Sequence, residues 1–137
     1  NMPFNIDAVE PTSGGGFSLL PDGDYDLVIT KVEEKTSKKG YPMVNVTCEV
    51  QNNADFNGKK VFHNVTFLKD GEKGAGMSRH FLKCINQPYG AGEVDPQNWI
   101  GETFKAKISS RTYTKGDGNK ATVNDIKEVS SSEGLAF

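Results

Sequence analysis

The chain contains few of the side chains on which most metalloenzymes and secreted proteins depend. Its 137 residues include two cysteines, two histidines and one tryptophan. No apolar stretch is long enough to cross a membrane, and the N-terminus lacks the basic and apolar regions of a secretion signal. We therefore expect a cytoplasmic protein with reduced thiols, no membrane attachment and no disulfide framework.

The scarcity of histidine also limits the catalytic chemistry that the chain can support. Two histidines give no basis for a Ser–His–Asp or Cys–His arrangement. The glycine-rich segment 71–76 lacks the Gly-Lys-Ser/Thr ending of a phosphate-binding P-loop. Asp22, Asp24 and Asp26 alternate as nuclease carboxylates can, but we prefer a solvated strand edge. We expect a binding protein that is not an enzyme and needs no cofactor.

A metal site is an alternative for one set of polar residues. His80 and Cys84 are four residues apart in a predicted helix, so both could reach one ion, and Cys48 and His63 could complete four ligands. The spacing matches no recognised zinc pattern, and both cysteines lie on apolar faces. We therefore interpret Cys48 and Cys84 as small buried hydrophobic residues.

The charges are unevenly distributed along the chain. The net charge of −2 alone argues against a polyanionic ligand. However, residues 31–83 and 103–127 each carry an excess of four basic side chains, and the acidic excess lies in residues 1–30, 84–102 and 128–137. Because the local field steers a ligand more than the net charge does, this charge distribution is compatible with a nucleic-acid partner.

Short segments of alternating apolar and polar residues, separated by glycine-marked turns, predict a β protein. Val28 and Val32 are out of phase with the apolar residues before them, which favours a β-bulge in the first strand. One helix is predicted between the third and fourth strands, and residues 95–101 are predicted to form a helical turn that docks Trp99 and Ile100. The predicted elements are strands Tyr25–Glu34, Met43–Gln51, Lys60–Phe67, Thr103–Arg111 and Thr122–Val129, and the helix Ala75–Asn86.

Five strands with one helix after the third have the element order of an OB-fold. We therefore predict a mainly all-β chain, with a five-stranded Greek-key barrel of this type over residues 19–129. The glycine-rich segment 1–18 is predicted to be a flexible N-terminal arm. Residues 130–137 are predicted to be a flexible C-terminal tail.

Barrels of this kind commonly hold single-stranded nucleic acid, by stacking bases on aromatic side chains inside a basic groove. The alternation places Phe62 opposite the apolar face of its strand and gives the fourth strand a basic face. For Phe56 and Phe62, packing in the core or at the barrel end is an equally open alternative. The candidate binding residues are Lys38, Lys39, Tyr41, Phe56, Lys60, Phe62, Lys105, Lys107, Arg111, Tyr113 and Lys115.

Four segments in this order resemble a known bacteriophage and prophage family of domains of unknown function. They are LPDGDY at residues 20–25, KTSKKG at 35–40, FNGKKVF at 56–62 and WIGETF at 99–104. The resemblance covers about residues 19–129. It implies an OB-fold single-stranded DNA-binding protein of phage DNA replication and recombination, which would act in the cytoplasm of the bacterial host.

The C-terminal residues are similar to the tails by which single-stranded DNA-binding proteins recruit partners. The similarity rests on a flexible spacer and a terminal Phe137, although Glu133 is the one acid where such tails have several. It implies that Phe137 docks replication or recombination proteins. The competing hypothesis is a phage structural or protein-interaction domain with an OB-like barrel and no nucleic-acid ligand. Homo-oligomerisation is left open by the sequence.

Overall fold

The structure, a computed structural model, describes residues 19–132. All five predicted strands and the predicted helix are present, so the mainly β character is confirmed. The predicted arm 1–18 and residues 133–137 lie outside the described part. No helix in residues 19–132 is long and apolar enough to cross a membrane. The elements are β1 (Gly23–Thr36), β2 (Pro42–Gln51), β3 (Lys60–Thr66), α1 (Ala75–Cys84), a 3-10 turn (Pro96–Trp99), β4 (Thr103–Thr114) and β5 (Lys120–Ser131).

The five strands form one antiparallel sheet in the order β3-β2-β1-β4-β5. Within residues 19–132 no backbone ladder joins β3 to β5, so the sheet is open and the closed barrel predicted from the sequence is not observed. Helix α1 packs against both edge strands instead. Its His80 Nε2 lies 2.7 Å from the Val129 carbonyl oxygen, which gives β5 a helix side chain as partner at that point.

Strand β1 contains the bulge that the out-of-phase valines predicted. Its register against β2 shifts between Ile29 and Lys31, so that Thr30 is an extra residue. Because side chains alternate between faces along a strand, one inserted residue reverses the phase. Val32 is therefore buried on the same side as Ile29.

The core lies between one face of the sheet and the segment that contains α1 and the 3-10 turn. The Phe81 ring lies 5.8 Å from the Trp99 ring and 5.3 Å from the Phe104 ring, both in edge-on arrangements. Ile100 is 48 % exposed, so the prediction that it docks beside Trp99 is wrong. The 3-10 turn ends at Trp99 and the backbone is extended at Ile100, so the buried environment of Trp99 does not continue to Ile100. The buried residues of β2 and β4 are the predicted ones, Val44, Val46, Cys48, Val50, Phe104, Ala106 and Ile108.

Each element differs from its predicted range by one to three residues at one or both ends, and the C-terminal ends of α1 and β5 are the informative cases. Helix α1 ends at Cys84 rather than Asn86, which has a positive φ of 61° that ends the helical conformation. Strand β5 continues to Ser131, two residues beyond Val129. Its last residue pairs with Phe104 on β4 and is buried. The described β-domain thus extends slightly into the segment that was predicted to be a tail.

The buried face of β3 generates a pH prediction. The His63 ring lies 5.4 Å from the Phe81 ring, and burial lowers its pKa below the ordinary value of 6.5. The unfolded chain then binds a proton at a higher pH than the folded chain does. The contribution of His63 to the free energy of unfolding should therefore be fully present above about pH 6.5 and decrease as the pH falls below it.

We expect His63→Gln to remove most of this loss of stability, because the amide does not titrate. Urea unfolding midpoints of both proteins at pH 7.5 and pH 5 measure the effect. Equal losses of stability in the wild type and the variant would contradict the assignment of the loss to His63.

Candidate nucleic-acid interface

The candidate binding residues fall into separate groups. Since β1 pairs with β4 near Gly23 and with β2 up to Thr36, the β1–β2 and β4–β5 hairpins extend beyond opposite ends of β1. The residues therefore do not form one compact patch. The first group, at the β1–β2 hairpin tip, is Lys38, Lys39 and Tyr41. The second lies on the sheet face opposite the core, here called the outer face, and is Lys60, Phe62, Lys105 and Lys107. The third, on the β4–β5 hairpin, is Arg111, Tyr113 and Lys115.

Phe62 is an exposed aromatic residue on the outer face. Thr47 lies opposite it on β2, and Lys31 lies opposite Thr47 on β1. The Phe62 side chain is 53 % exposed, whereas its neighbour Val61 is buried. An accessible ring among polar side chains offers the kind of surface on which a nucleic-acid base stacks.

Phe56 has a different environment. Its ring is partly buried against the core, in an edge-on contact with Tyr25 at 6.4 Å between centroids. The Asn53 side chain accepts hydrogen bonds from the backbone N–H groups of Asp55 and Phe56, which stabilise the turn that carries the ring. For Phe56 the structure favours packing at the end of the sheet over an accessible binding site.

The predicted basic residues on the strands are paired with carboxylates. Asp26 lies directly opposite Lys105, and Glu128 lies opposite Lys107. The sequence pattern did not indicate these partners because they come from neighbouring strands. What the alternation predicted as a basic stripe is therefore a set of cross-strand ion pairs. The N–O distances are 2.8 Å for Lys105–Asp26, 3.7 Å for Lys107–Glu128, 2.6 Å for Arg111–Asp125 and 3.4 Å for Lys60–Glu49.

Arg111 has the most extensive of these contacts. Its Nε and Nη2 donate to the two carboxylate oxygens of Asp125, at 2.6 and 3.4 Å. These hydrogen bonds lower the pKa of Asp125 and raise the pKa of Arg111. The Arg111 guanidinium also lies 5.5 Å from the centre of the Tyr113 ring. A phosphate that approached Arg111 would therefore compete with Asp125.

The hairpin-tip lysines are in a different electrostatic position. Within residues 19–132, no carboxylate oxygen lies within 4 Å of the amine of Lys38 or Lys39. The tip is closed by Ser37, whose N–H donates to the Tyr41 carbonyl at 2.8 Å. A cleft of about 380 Å³ opens beside the tip and is also lined by Lys73, from the loop before α1. Sequence reasoning missed Lys73 because only the fold brings that loop to the hairpin.

The four residues of the metal alternative do not come together. Cys84 Sγ lies 3.4 Å from His80 Nε2, and that nitrogen donates to the Val129 carbonyl. Burial raises the pKa of Cys48 to about 12. In the described part of the chain, no group of three or more His, Cys, Asp or Glu side chains is arranged to hold a metal ion. The interpretation of both cysteines as small buried residues fits this arrangement.

The Arg111–Asp125 pair predicts how stability depends on acid. We expect Asp125→Asn to be only slightly less stable than the wild type at pH 7, because exposed ion pairs contribute little to the free energy of unfolding. The lowered pKa of Asp125 means that the pair stabilises the fold above its ordinary pKa of 3.8 and loses this effect as the pH falls through the lowered value. Urea midpoints of the two proteins should therefore converge between pH 5 and pH 2.5. A difference that stays constant over this range would show that the carboxylate charge is not its cause.

The comparisons with known proteins bear on the family but not on the ligand. A family model described as protein of unknown function (DUF669) matches residues 4–106. The match spans about three quarters of the chain and includes β1, β2, β3, α1 and the first residues of β4. No curated protein matches the chain.

Proposed function

We propose that this chain, which belongs to the DUF669 family, a phage-type family of unknown function, is a single-stranded DNA-binding protein. It binds without sequence preference and acts in phage DNA replication or recombination in the host cytoplasm. The observation that carries the proposal is the exposed Phe62 ring on the outer face, on the strand that leads to the lysine-bearing hairpin tip.

A polar track joins these two features. We define it as the outward side chains Phe62, Asn64 and Thr66 of β3 with Asn45 and Thr47 of β2, which are paired across the two strands. At about 3.3 Å per residue, Phe62 and Thr66 are roughly 13 Å apart along β3. Thr66 also lines the hairpin-tip cleft. A single strand along this track would stack a base on Phe62 and bring its backbone phosphates to Lys38 and Lys39.

The strand order supports an OB-type fold as the framework. Opening a five-stranded barrel of that type between β3 and β5 gives the order β3-β2-β1-β4-β5. Folds of this type are often only partly closed, and they bind oligonucleotides on strands 2 and 3 and on the loop between strands 1 and 2. The polar track and the hairpin tip occupy those positions.

The other candidate residues have smaller roles in this proposal. Lys60, Lys105, Lys107 and Arg111 would contribute less than the hairpin tip, because their carboxylate partners compete with phosphate. Tyr113 and Lys115 offer a second contact on the other hairpin. Phe137 lies outside the described residues, and its docking of replication or recombination proteins stays a prediction.

The proposal predicts salt-dependent binding that depends on the hairpin tip. Trp99 is buried, so the anisotropy of a labelled oligo-dT of about thirty nucleotides is the suitable readout. We expect saturable binding that weakens as salt rises. Lys38→Ala combined with Lys39→Ala should weaken binding and reduce the slope of log K against log salt by about 1.4, at about 0.7 per lost phosphate contact.

Lys83→Ala combined with Lys127→Ala is the matched control. It changes the net charge equally but on α1 and β5, so most of the salt slope should be retained. Equal losses from the two double variants would assign the effect to net charge rather than to the hairpin tip. Absence of any binding by the wild type at low salt would refute the proposed function.

Phe62 should contribute to affinity without contributing much to stability. A stacked base is worth about 1–3 kcal/mol, so Phe62→Ala should weaken oligo-dT binding by about five- to 150-fold. The urea midpoint should change little because the ring is exposed. Tyr89→Ala removes a similarly exposed aromatic ring, 48 % exposed, from the loop after α1. This control should bind like the wild type, and a Phe62→Ala variant that did so too would eliminate the stacking role.

A second candidate function is a protein-interaction domain. An apolar groove of about 380 Å³ is lined by Phe67, Leu82 and Val94, with Arg79 in its wall. Arg79 donates to the backbone carbonyls of Leu68 and Ala75 and to the Ser78 hydroxyl, and within residues 19–132 no carboxylate lies within 4 Å of it. Its occupant would be an apolar peptide segment that carries a carboxylate. This function predicts that oligo-dT does not bind at any salt concentration.

A further inference from the structure

The cleft at the hairpin tip has two walls that come from distant parts of the chain. The hairpin supplies one wall, and the end of β3 with the loop before α1 supplies the other. Its volume of about 380 Å³ lies within the range of small-ligand sites. The lining residues are Ser37, Lys38, Lys39 and Tyr41 on the hairpin side and Thr66, Leu68, Glu72 and Lys73 on the loop side.

Glu72 is the one carboxylate in the lining, and both of its oxygens are occupied. Oε1 accepts the backbone N–H of Lys69 at 2.7 Å, and Oε2 accepts the hydroxyl of Tyr41. The Tyr41 bond lowers the pKa of Glu72 and raises that of Tyr41, so that the carboxylate and the donating hydroxyl both persist near neutral pH. Glu72 therefore keeps its negative charge, and the charge of Lys39 also contributes to its lowered pKa, but the positive charges in the lining outnumber it three to one.

Three lysines supply those charges. In the part of the chain that the structure describes, no carboxylate lies within 4 Å of the amines of Lys38, Lys39 or Lys73. Leu68 and the Tyr41 ring add apolar surface to the same lining. Three lysines that line one cleft beside an apolar surface match a nucleotide unit, which has an anionic phosphate and a largely apolar sugar and base face.

The Tyr41–Glu72 hydrogen bond connects the two walls. The loop that carries Glu72 and Lys73 is flanked by Gly71 and Gly74, both with φ near +90°. Glycine permits many backbone conformations, so a contact that joins the loop to the hairpin restricts where Lys73 lies. Tyr41 was predicted from the sequence as a binding residue, and the structure shows its hydroxyl committed to Glu72.

We propose that this cleft is a phosphodiester subsite for one nucleotide of the bound strand, with the phosphate among Lys38, Lys39 and Lys73. Tyr41 is a positioning residue in it: its hydroxyl holds the loop so that Lys73 faces the phosphate. The inference rests on the proposed function and adds a second wall, the loop before α1, to the interface. The ring of Tyr41 is not the main stacking surface.

A double-mutant cycle with Tyr41→Phe and Lys73→Ala tests this assignment by oligo-dT anisotropy. Tyr41→Phe keeps the ring and removes only the hydroxyl, so a stacking role alone would leave the affinity unchanged. We expect each single variant to weaken binding several-fold. In the Tyr41→Phe background, Lys73→Ala should have little further effect, because the lysine is no longer held at the phosphate.

The salt dependence provides a second readout that a merely structural role would not change. Lys73→Ala should reduce the log–log salt slope by about 0.7 in the wild type and by much less in the Tyr41→Phe background. Lys69→Ala is the matched control, since it removes a lysine from the same loop but outside the cleft lining. Its effect on affinity and slope should be smaller than that of Lys73→Ala, and urea midpoints show that each variant folds.

The failures of the two proposals are distinguishable. Wild-type affinity in Tyr41→Phe, or additive effects in the cycle, would overturn the subsite and leave single-stranded DNA binding in place. Equal effects of Lys69→Ala and Lys73→Ala on affinity would also overturn it, because a lysine outside the cleft lining would then contribute as much as a lysine inside it. Only the absence of wild-type binding would overturn both proposals.

Discussion

Strand β1 pairs with β4 through residues 23–28 and with β2 through residues 26–36, and the extra residue Thr30 keeps its core residues on one side of the sheet. Without the bulge, with Thr30 paired as an ordinary strand residue, Val32 would point outward and Lys31 would point into the core, since a shift of one residue exchanges the two faces of a strand. The row Lys31–Thr47–Phe62 on the outer face depends on the same bulge. The bulge therefore determines both the core and the surface on which the proposed interface lies.

Periodicity along the chain was sufficient to predict what depends on neighbouring residues. The buried residues of β2 and β4 and the bulge follow from alternation of apolar and polar positions, which is a local property. Alternation placed Phe62 opposite the apolar face of its strand, but it left open whether the ring packs or is exposed. The open sheet does not follow from it, because closure depends on how β3 and β5 meet across α1. The outward direction of Lys105 and Lys107 was predicted, but not their carboxylate partners, because these are set by the register between strands. The inward position of Phe56 depends on Tyr25, which lies far from it in the sequence.

The distribution of charge on the sheet separates two kinds of basic residue. Lys60, Lys105 and Lys107 face carboxylates on neighbouring strands, and these carboxylates offset their charges. Lysines at the hairpin tip and in the loop before α1 have no carboxylate within 4 Å in residues 19–132. An acidic chain can therefore still present a local positive field at one end of the sheet, where the polar track ends. Net charge alone gave a poor indication of this arrangement.

Helix α1 has a role that becomes apparent from the open sheet. The free edges of β3 and β5 carry backbone groups that could pair with another strand, and such edges are templates for intermolecular association. Helix α1 packs against both edge strands. Its Phe81 contacts His63 of β3, and its His80 forms a hydrogen bond with the Val129 carbonyl of β5. A substitution that loosened α1 would therefore uncover two edges at once. Because Phe81 of the same helix packs against Trp99 and Phe104, such a substitution would destabilise the core and favour pairing of the uncovered edges with another chain.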